Sequence, residues 1–166
     1  MAHPSSSAPA RPLTVSAQQI RGLDLTPLAC LRQLAPAELP QHFGSVSLHF
    51  SWPRSADDPR ELSEIAELRI WSLYADASCP WLPLLLERSG GELTRHVAML
   101  LPHAFHRNDG IRFAPESLEL WMTHRLFVLD GWARSHGLNM RLGLGQMATV
   151  LGYELDPSFW DTLPEN

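Results

Sequence analysis

The chain contains no lysine, little cysteine and no long apolar run. Its 13 basic side chains are all arginine and are outnumbered by 18 acidic ones, which gives a formal net charge of -5. A protein that grips nucleic acid needs clustered basic side chains to neutralise phosphates, so this balance argues against a nucleic-acid partner. No apolar run approaches the roughly 20 residues that span a bilayer, and we therefore expect no stable membrane insertion.

The scarcity of cysteine excludes several kinds of site. Cys30 and Cys79 stand far apart and in no metal-binding spacing. A disulfide scaffold, a four-cysteine zinc site and a self-held iron–sulfur cluster are therefore not expected. A catalytic thiol needs a nearby base and an oxyanion hole, and the sequence places neither beside Cys79. We interpret Cys79 as a structural thiol.

Residues 1–12 are small, polar and rich in proline, and they lack the apolar core of a signal peptide. We expect them to form a flexible tail. The remaining residues, 13–166, are enough for one hydrophobic core and too few for two. The sequence therefore predicts a tail, a single domain and a reducing, cytoplasmic location.

Strand and helix patterns alternate along this domain. Residues 13–15 and 44–52 predict strands, and residues 68–75 predict a central strand because apolar side chains occupy both of its faces. Residues 92–101 fit a helix or a buried strand, and we favour the strand. The sequence predicts a long amphipathic helix from Pro115 to a stop at Gly137, and short helices after Ser16 and Thr26 and at 146–151 and 157–163. The predicted fold is α+β, with a small, mostly antiparallel sheet packed by the long helix and the short helices.

A dense block of both charge signs precedes the predicted central strand. Asp58-Pro59-Arg60-Glu61 is typical of a helix start, with Asp58 at the cap and Glu61 returning a hydrogen bond to the cap amide. Paired carboxylates in such a block can also serve as a general acid and base. A capped helix start with a solvated face explains the same residues, and it is the interpretation we favour.

Three histidines and an aspartate offer an alternative site. His96, His103, His106 and Asp109 are of the types that bind zinc or non-haem iron. Their spacing is not HExxH, and Pro102 interrupts the regular helix on which that motif depends. A small metal-dependent enzyme is therefore the alternative function, while a loop with hydrogen-bonded or exposed histidines explains the same pattern.

Several short blocks, in order along the chain, resemble one known family. They are Pro59-Arg60-Glu61-Leu62-Ser63-Glu64-Ile65, Pro80-Trp81-Leu82-Pro83, Gly91-Glu92-Leu93, Met99-Leu100-Leu101-Pro102-His103 with Phe105, Gly110-Ile111, and Leu118-Glu119 leading to Phe127-Val128-Leu129. From about Leu13 to about Trp160 the chain resembles the chlororespiratory reduction 6 family of cyanobacteria and plastids.

The resemblance implies a non-enzymatic assembly factor. Members of that family assist assembly of the hydrophilic arm of the photosynthetic NADH dehydrogenase-like complex and act on its iron–sulfur-bearing I subunit. A short chain without a transit peptide then corresponds to the cyanobacterial form. Such a factor needs a rigid surface for its client rather than a catalytic residue, a metal ligand or a cofactor. We predict that the client contacts Arg60, Glu61, Glu64, Trp81, Pro102, His103 and Phe105.

Overall fold

Residues 11–162 are described by the computed structural model, and they combine short strands with many helices. The strands are β1 (Arg11–Ser16), β2 (Val46–Ser51), β3 (His103–His106) and β4 (Gly110–Phe113). The α-helices are α1 (Ala17–Arg21), α2 (Ala29–Arg32), α3 (Ala66–Ser78), α4 (Leu82–Leu85), α5 (Glu92–Leu100), α6 (Pro115–Ser135) and α7 (Arg141–Val150). Short 3-10 helices occupy Thr26–Leu28, Pro36–His42, Leu62–Glu64 and Pro157–Thr162. This mixture confirms the predicted α+β class.

The described strands form two small sheets instead of the single, mostly antiparallel sheet that we expected. β1 and β2 are parallel, with Val15 opposite Phe50. A parallel pair needs a long crossover, and the helices between β1 and β2 supply it. β3 and β4 form an antiparallel hairpin. The predicted tail lies outside the described residues except for Arg11 and Pro12, which belong to β1.

Helix α3 replaces the predicted central strand at residues 68–75. Its buried residues include Leu68, Trp71 and Ala75, which follow helical spacing. Its outward face is also apolar, because Ile70 and Tyr74 are 54% and 46% exposed. Because both faces of the helix carry apolar side chains, their pattern in the sequence resembles that of a strand buried on both sides. Residues 92–101 are likewise mostly the helix α5 and not the strand that we favoured.

The core is built around Trp71 and the apolar face of α6. Trp71 is fully buried, its ring meets Phe50 edge to face at a centroid distance of 5.6 Å, and its Nε1 donates to the Asp24 carbonyl at 2.9 Å. The predicted long helix is confirmed as α6, which begins with Pro115 at its first position. The buried apolar residues of α6 recur every three or four positions, at Leu118, Met122, Leu126, Leu129 and Ala133. This periodicity is what the sequence pattern predicted.

Local helix starts were predicted with mixed success. Ser16 caps α1 as expected: its Oγ accepts from the Gln19 amide at 3.1 Å, and the Gln19 side chain accepts from the Ser16 amide at 2.8 Å. Thr26 is the first residue of a 3-10 helix and not its cap. The predicted cap at Asp58 is wrong, because the 3-10 helix starts after Glu61 and α3 begins only at Ala66. The helix at 146–151 is confirmed as part of the longer α7, and 157–162 is a 3-10 helix.

Candidate functional site

A surface cleft of about 390 Å³ collects side chains from three separate parts of the chain. One wall is the Pro59–Ile65 segment, a second comes from α5, and a third comes from β3. The lining residues are Arg54, Pro59, Arg60, Glu61, Leu62, Arg95 and Phe105. We call this the arginine cleft. Three of the predicted client contacts, Arg60, Glu61 and Phe105, meet in it although 45 positions separate the first from the last.

Glu61 fastens the Pro59–Ile65 segment to α5. Its side chain is only 8% exposed, and its carboxylate accepts a hydrogen bond from Arg95 Nε at 2.5 Å. The Glu61 amide donates to the Glu64 carboxylate at 2.8 Å. Because this arrangement caps the 3-10 helix that starts at Leu62, both acids shape the cleft wall through contacts within the chain.

Arg60 stands at the rim of the cleft and pairs with Asp58. Arg60 Nε lies 3.0 Å from Asp58 Oδ1, and Arg60 Nη2 lies 2.7 Å from Asp58 Oδ2. Hydrogen bonds from the Arg60 side chain, and then from its amide, lower the pKa of Asp58 to about 2. The Arg60 side chain remains 50% exposed. Its outer face is therefore accessible to a partner while its charge position is fixed by Asp58.

His103 joins the β3 strand to the same segment. Its Nδ1 lies 2.9 Å from the Leu101 carbonyl, and because a carbonyl only accepts, Nδ1 carries the proton. In the neutral ring Nε2 then accepts from the Ser63 hydroxyl at 2.8 Å. Arg69 from α3 donates to the Met99 and Leu101 carbonyls at 3.3 and 3.1 Å. The turn that carries Pro102 is thus held by two elements, and Pro102 itself is exposed.

The histidines of the alternative metal site point to different partners. His103 bonds Ser63, Asp109 pairs with Arg112 at 2.7 Å, and His106 is exposed at the end of β3. Within residues 11–162, no three His, Cys, Asp or Glu side chains are grouped as a metal site would require. The structure therefore does not support the metal-dependent enzyme.

His96 instead belongs to a buried charge cluster that sequence reasoning missed. Asp76 Oδ1 lies 3.1 Å from His96 Nε2, and Asp76 Oδ2 accepts from Arg125 Nη2 at 2.5 Å. Burial, the largest influence, raises the pKa of Asp76, but the hydrogen bonds and charges of His96 and Arg125 outweigh it and hold the pKa below its usual value. No sequence signal marks this cluster, since 49 positions separate Asp76 from Arg125.

Trp81 lies apart from the arginine cleft. It is half-buried and packs against the hydrophobic core just before α4. Arg125 Nη1 also donates to the Pro80 carbonyl at 2.7 Å, so the buried charge cluster holds this corner from inside. Of the predicted contacts that do not line the cleft, Glu64 and His103 are hydrogen-bonded to its walls, whereas Trp81 packs against the core.

Known proteins offer a family match and no structural match. In the described part of the chain, no helix is both long enough and apolar enough to cross a membrane. No solved structure gives a significant match. The family model for chlororespiratory reduction 6 matches residues 15–162, a span that includes every wall of the arginine cleft. Since that match covers most of the sequence, the chain belongs to the chlororespiratory reduction 6 family.

Proposed function

We propose that this protein is a cytoplasmic, non-enzymatic assembly factor for the hydrophilic arm of the photosynthetic NADH dehydrogenase-like complex. Its client in this proposal is the iron–sulfur-bearing I subunit, which it holds during maturation. Family membership fits a role in complex assembly. The choice of this client and of the mechanism rests on the resemblance described above.

The observation that carries the proposal is the composition and rigidity of the arginine cleft. Arginine and aromatic side chains are enriched where proteins meet, and the cleft places Arg54, Arg60 and Arg95 around Phe105. Hydrogen bonds from Arg95 to Glu61 and from Ser63 to His103 fix the walls before any partner arrives. A preorganised surface loses little conformational freedom on binding. Arg60 and Arg95 are paired with Asp58 and Glu61, but the Arg60 side chain is half exposed, so an acidic group on the client can approach its outer face.

A Ser–His pair in the cleft wall bears on the question of catalysis. Ser63 and His103 lie within hydrogen-bond distance, as a nucleophile and its base would. However, Ser63 is completely buried, and a buried hydroxyl does not reach a substrate. The His103 Nδ1 bonds a backbone carbonyl and not the carboxylate of a catalytic triad. These contacts support a structural role for the pair and a non-enzymatic function.

Gentle affinity purification from cells tests the client directly. We expect subunits of the dehydrogenase-like complex to co-purify with the parent protein and to be depleted with Arg60→Glu, because reversed charge opposes the acidic client. Arg32→Glu is the matched control, since Arg32 is exposed on α2 and does not line the cleft. Undiminished co-purification by folded Arg60→Glu protein would place the docking surface elsewhere.

Loss of the protein gives a second test that does not depend on the cleft. Cells without the protein should contain less of the complete complex and altered amounts of its soluble assembly intermediates. Native gel electrophoresis with detection of the I subunit measures both. Normal amounts of the complex in such cells would rule out the assembly role.

A further inference from the structure

A larger groove, of about 840 Å³, lies along α7 and shares no lining residue with the arginine cleft. One wall is a stripe of α7 residues at helical spacing: Leu142, Gly145, Gln146, Thr149 and Val150. The facing wall belongs to the C-terminal segment and includes Leu155 and Trp160. We call this the α7 groove, and it is not used by the function proposed above.

The α7 wall exposes apolar side chains and is open. Leu142 is 79% exposed, the highest fraction among the large apolar side chains of the described residues, and Val150 is 37% exposed. Gly145 lies between them, and a Cβ added there would meet nothing within 4 Å. An exposed apolar stripe with space above it is typical of a surface that contacts a partner.

Arg88 gives this groove a specific polar feature. Its Nη1 donates to the Gln146 side chain at 2.9 Å, whereas its Nε and Nη2 are buried and have no hydrogen-bond partner in the structure. Burial also lowers the pKa of Arg88. The adjacent carboxylate, Glu87, is turned towards the Ser89 and Gly90 amides. Buried guanidinium donors without hydrogen bonds cost free energy, and a partner that supplies an acceptor would remove this cost.

Two other arginines show which partner suits that edge of the guanidinium. Arg60 directs Nε and Nη2 to the two oxygens of Asp58, and Arg141 directs Nε and Nη2 to those of Asp130. In Arg88 the same two nitrogens are unoccupied. Arg141 also lines the α7 groove, but its charge is already matched by Asp130, and its guanidinium stacks on Trp160 at 5.0 Å. Arg88 is therefore the groove arginine to which the described residues offer no carboxylate.

We propose that the α7 groove binds an apolar peptide segment of a partner protein that carries one carboxylate. The apolar side chains of the segment lie against the α7 stripe and Trp160. The long stem of Arg88 rotates so that Nε and Nη2 face the groove and receive the carboxylate in the two-bond geometry seen for Arg60. Glu154, on the facing wall, repels a second acidic side chain on the segment, so one carboxylate is favoured over two.

Selection from random peptides tests the proposal without knowledge of the natural partner. Displayed peptides of about twelve residues, long enough to follow the about 15 Å of α7, are selected on the immobilised full chain. We expect the enriched sequences to combine apolar residues with an Asp or Glu. Fluorescence anisotropy then gives the affinity of the best peptide and of its matched Asn or Gln version, which should bind about tenfold more weakly or worse.

Two variants locate the binding in the groove. Arg88→Met should weaken the acidic peptide about tenfold or more and should no longer distinguish it from the amide version. Gly145→Leu should fill the groove and weaken both peptides, since its side chain enters open space. Leu120→Ser is the control, because Leu120 is exposed on α6 and does not line the groove. It should leave both affinities unchanged.

Thermal unfolding separates these effects from misfolding. Arg88→Met loses one exposed hydrogen bond to Gln146 but removes two unpaired buried donors, and Gly145→Leu removes a glycine from a helix, so neither should lower the melting temperature appreciably. If one variant unfolds, the other decides. The proposal is overturned if no peptide is enriched, if the enriched peptides lack an acidic residue, or if Arg88→Met binds them equally well. Self-association of the chain that Gly145→Leu abolishes would identify a second copy as the occupant and would also overturn it.

Discussion

The Asp76–His96–Arg125 cluster and the Asp58–Arg60 pair use the same chemistry, but the arginine is largely buried in the cluster and half exposed in the pair. In the cluster the side chains of Asp76 and Arg125 are each 11% exposed, and they connect α3 to α6. In the surface pair Arg60 is 50% exposed, and its partner stands two positions before it in the chain. The cluster therefore holds distant elements together, whereas the pair only organises a local turn.

A charge supports the fold where its partner is buried with it, and it is available to a partner protein where it faces water. A buried charge that loses its partner remains in a medium that solvates it poorly, so the loss is large. An exposed charge that loses its partner is solvated by water, so the loss is small. Arg88 lies between these cases, since it is half-buried and its Nε and Nη2 lack a partner.

The largest effect is expected where the buried cluster is broken. Asp76→Asn removes the charge that faces Arg125 and should lower the free energy of unfolding by about 3–5 kcal/mol. Chemical denaturation at neutral pH measures the change. Asp58→Asn makes the same chemical change at the surface pair and should cost much less. Equal losses in the two variants would contradict the contrast between the two regions.

Acid sharpens the same contrast. The pKa of Asp76 in the folded protein lies below its usual value of 3.8, so the unfolded chain binds this proton more readily. The stabilisation by Asp76 is therefore fully present above pH 3.8 and is lost as the pH falls through the folded pKa. Between about pH 5 and about pH 2 the parent should therefore lose more stability than Asp76→Asn, because the variant has no carboxylate to protonate at this position. Denaturation curves at several pH values show whether the two proteins converge.

An intermediate effect is expected in the wall of the arginine cleft. Glu61→Gln removes the charge that faces Arg95, whose side chain is 32% exposed, so we expect a loss of about 1–2 kcal/mol, between the surface and buried cases. Glu67→Gln is a matched control, because Glu67 is an exposed acid at the start of α3. A loss as small as that of the control would mean that the Glu61–Arg95 pair does not fix the cleft.

The smallest effect on folding is expected at the rim. Arg60→Glu should leave the melting temperature within a few degrees of the parent, because the Arg60 side chain is half exposed to water and its ion pair with Asp58 is local. Adding Glu64→Arg should lower the melting temperature further, since Glu64 accepts from the Glu61 amide. Thermal unfolding of the single and double variants compares them. Equal melting temperatures would show that the Glu64 cap contributes nothing measurable.

Local signals in the sequence determined the α+β class, the β2 strand, the cap of α1 and the long helix α6. These features depend on neighbours within a few positions: Ser16 with Gln19, and Pro115 with the apolar period that follows it. The sequence also identified residues of the candidate site, Arg60, Glu61 and Phe105, through short blocks that resemble a family. It did not predict that Arg95 completes the cleft with them.

Features that depend on packing between distant parts of the chain become visible only in the folded protein. The sequence did not reveal that α3 is a helix, because exposed apolar residues on its solvent face resemble those of a strand buried on both sides. The packing of Trp71 against Phe50 belongs to the helix and not to the predicted strand. The partners of Asp76 and the isolation of Arg88 were equally hidden. Hydrogen bonds between residues far apart in the chain leave no periodic pattern in the sequence. Any acidic side chain can pair with any arginine, and only folding determines which of them come together.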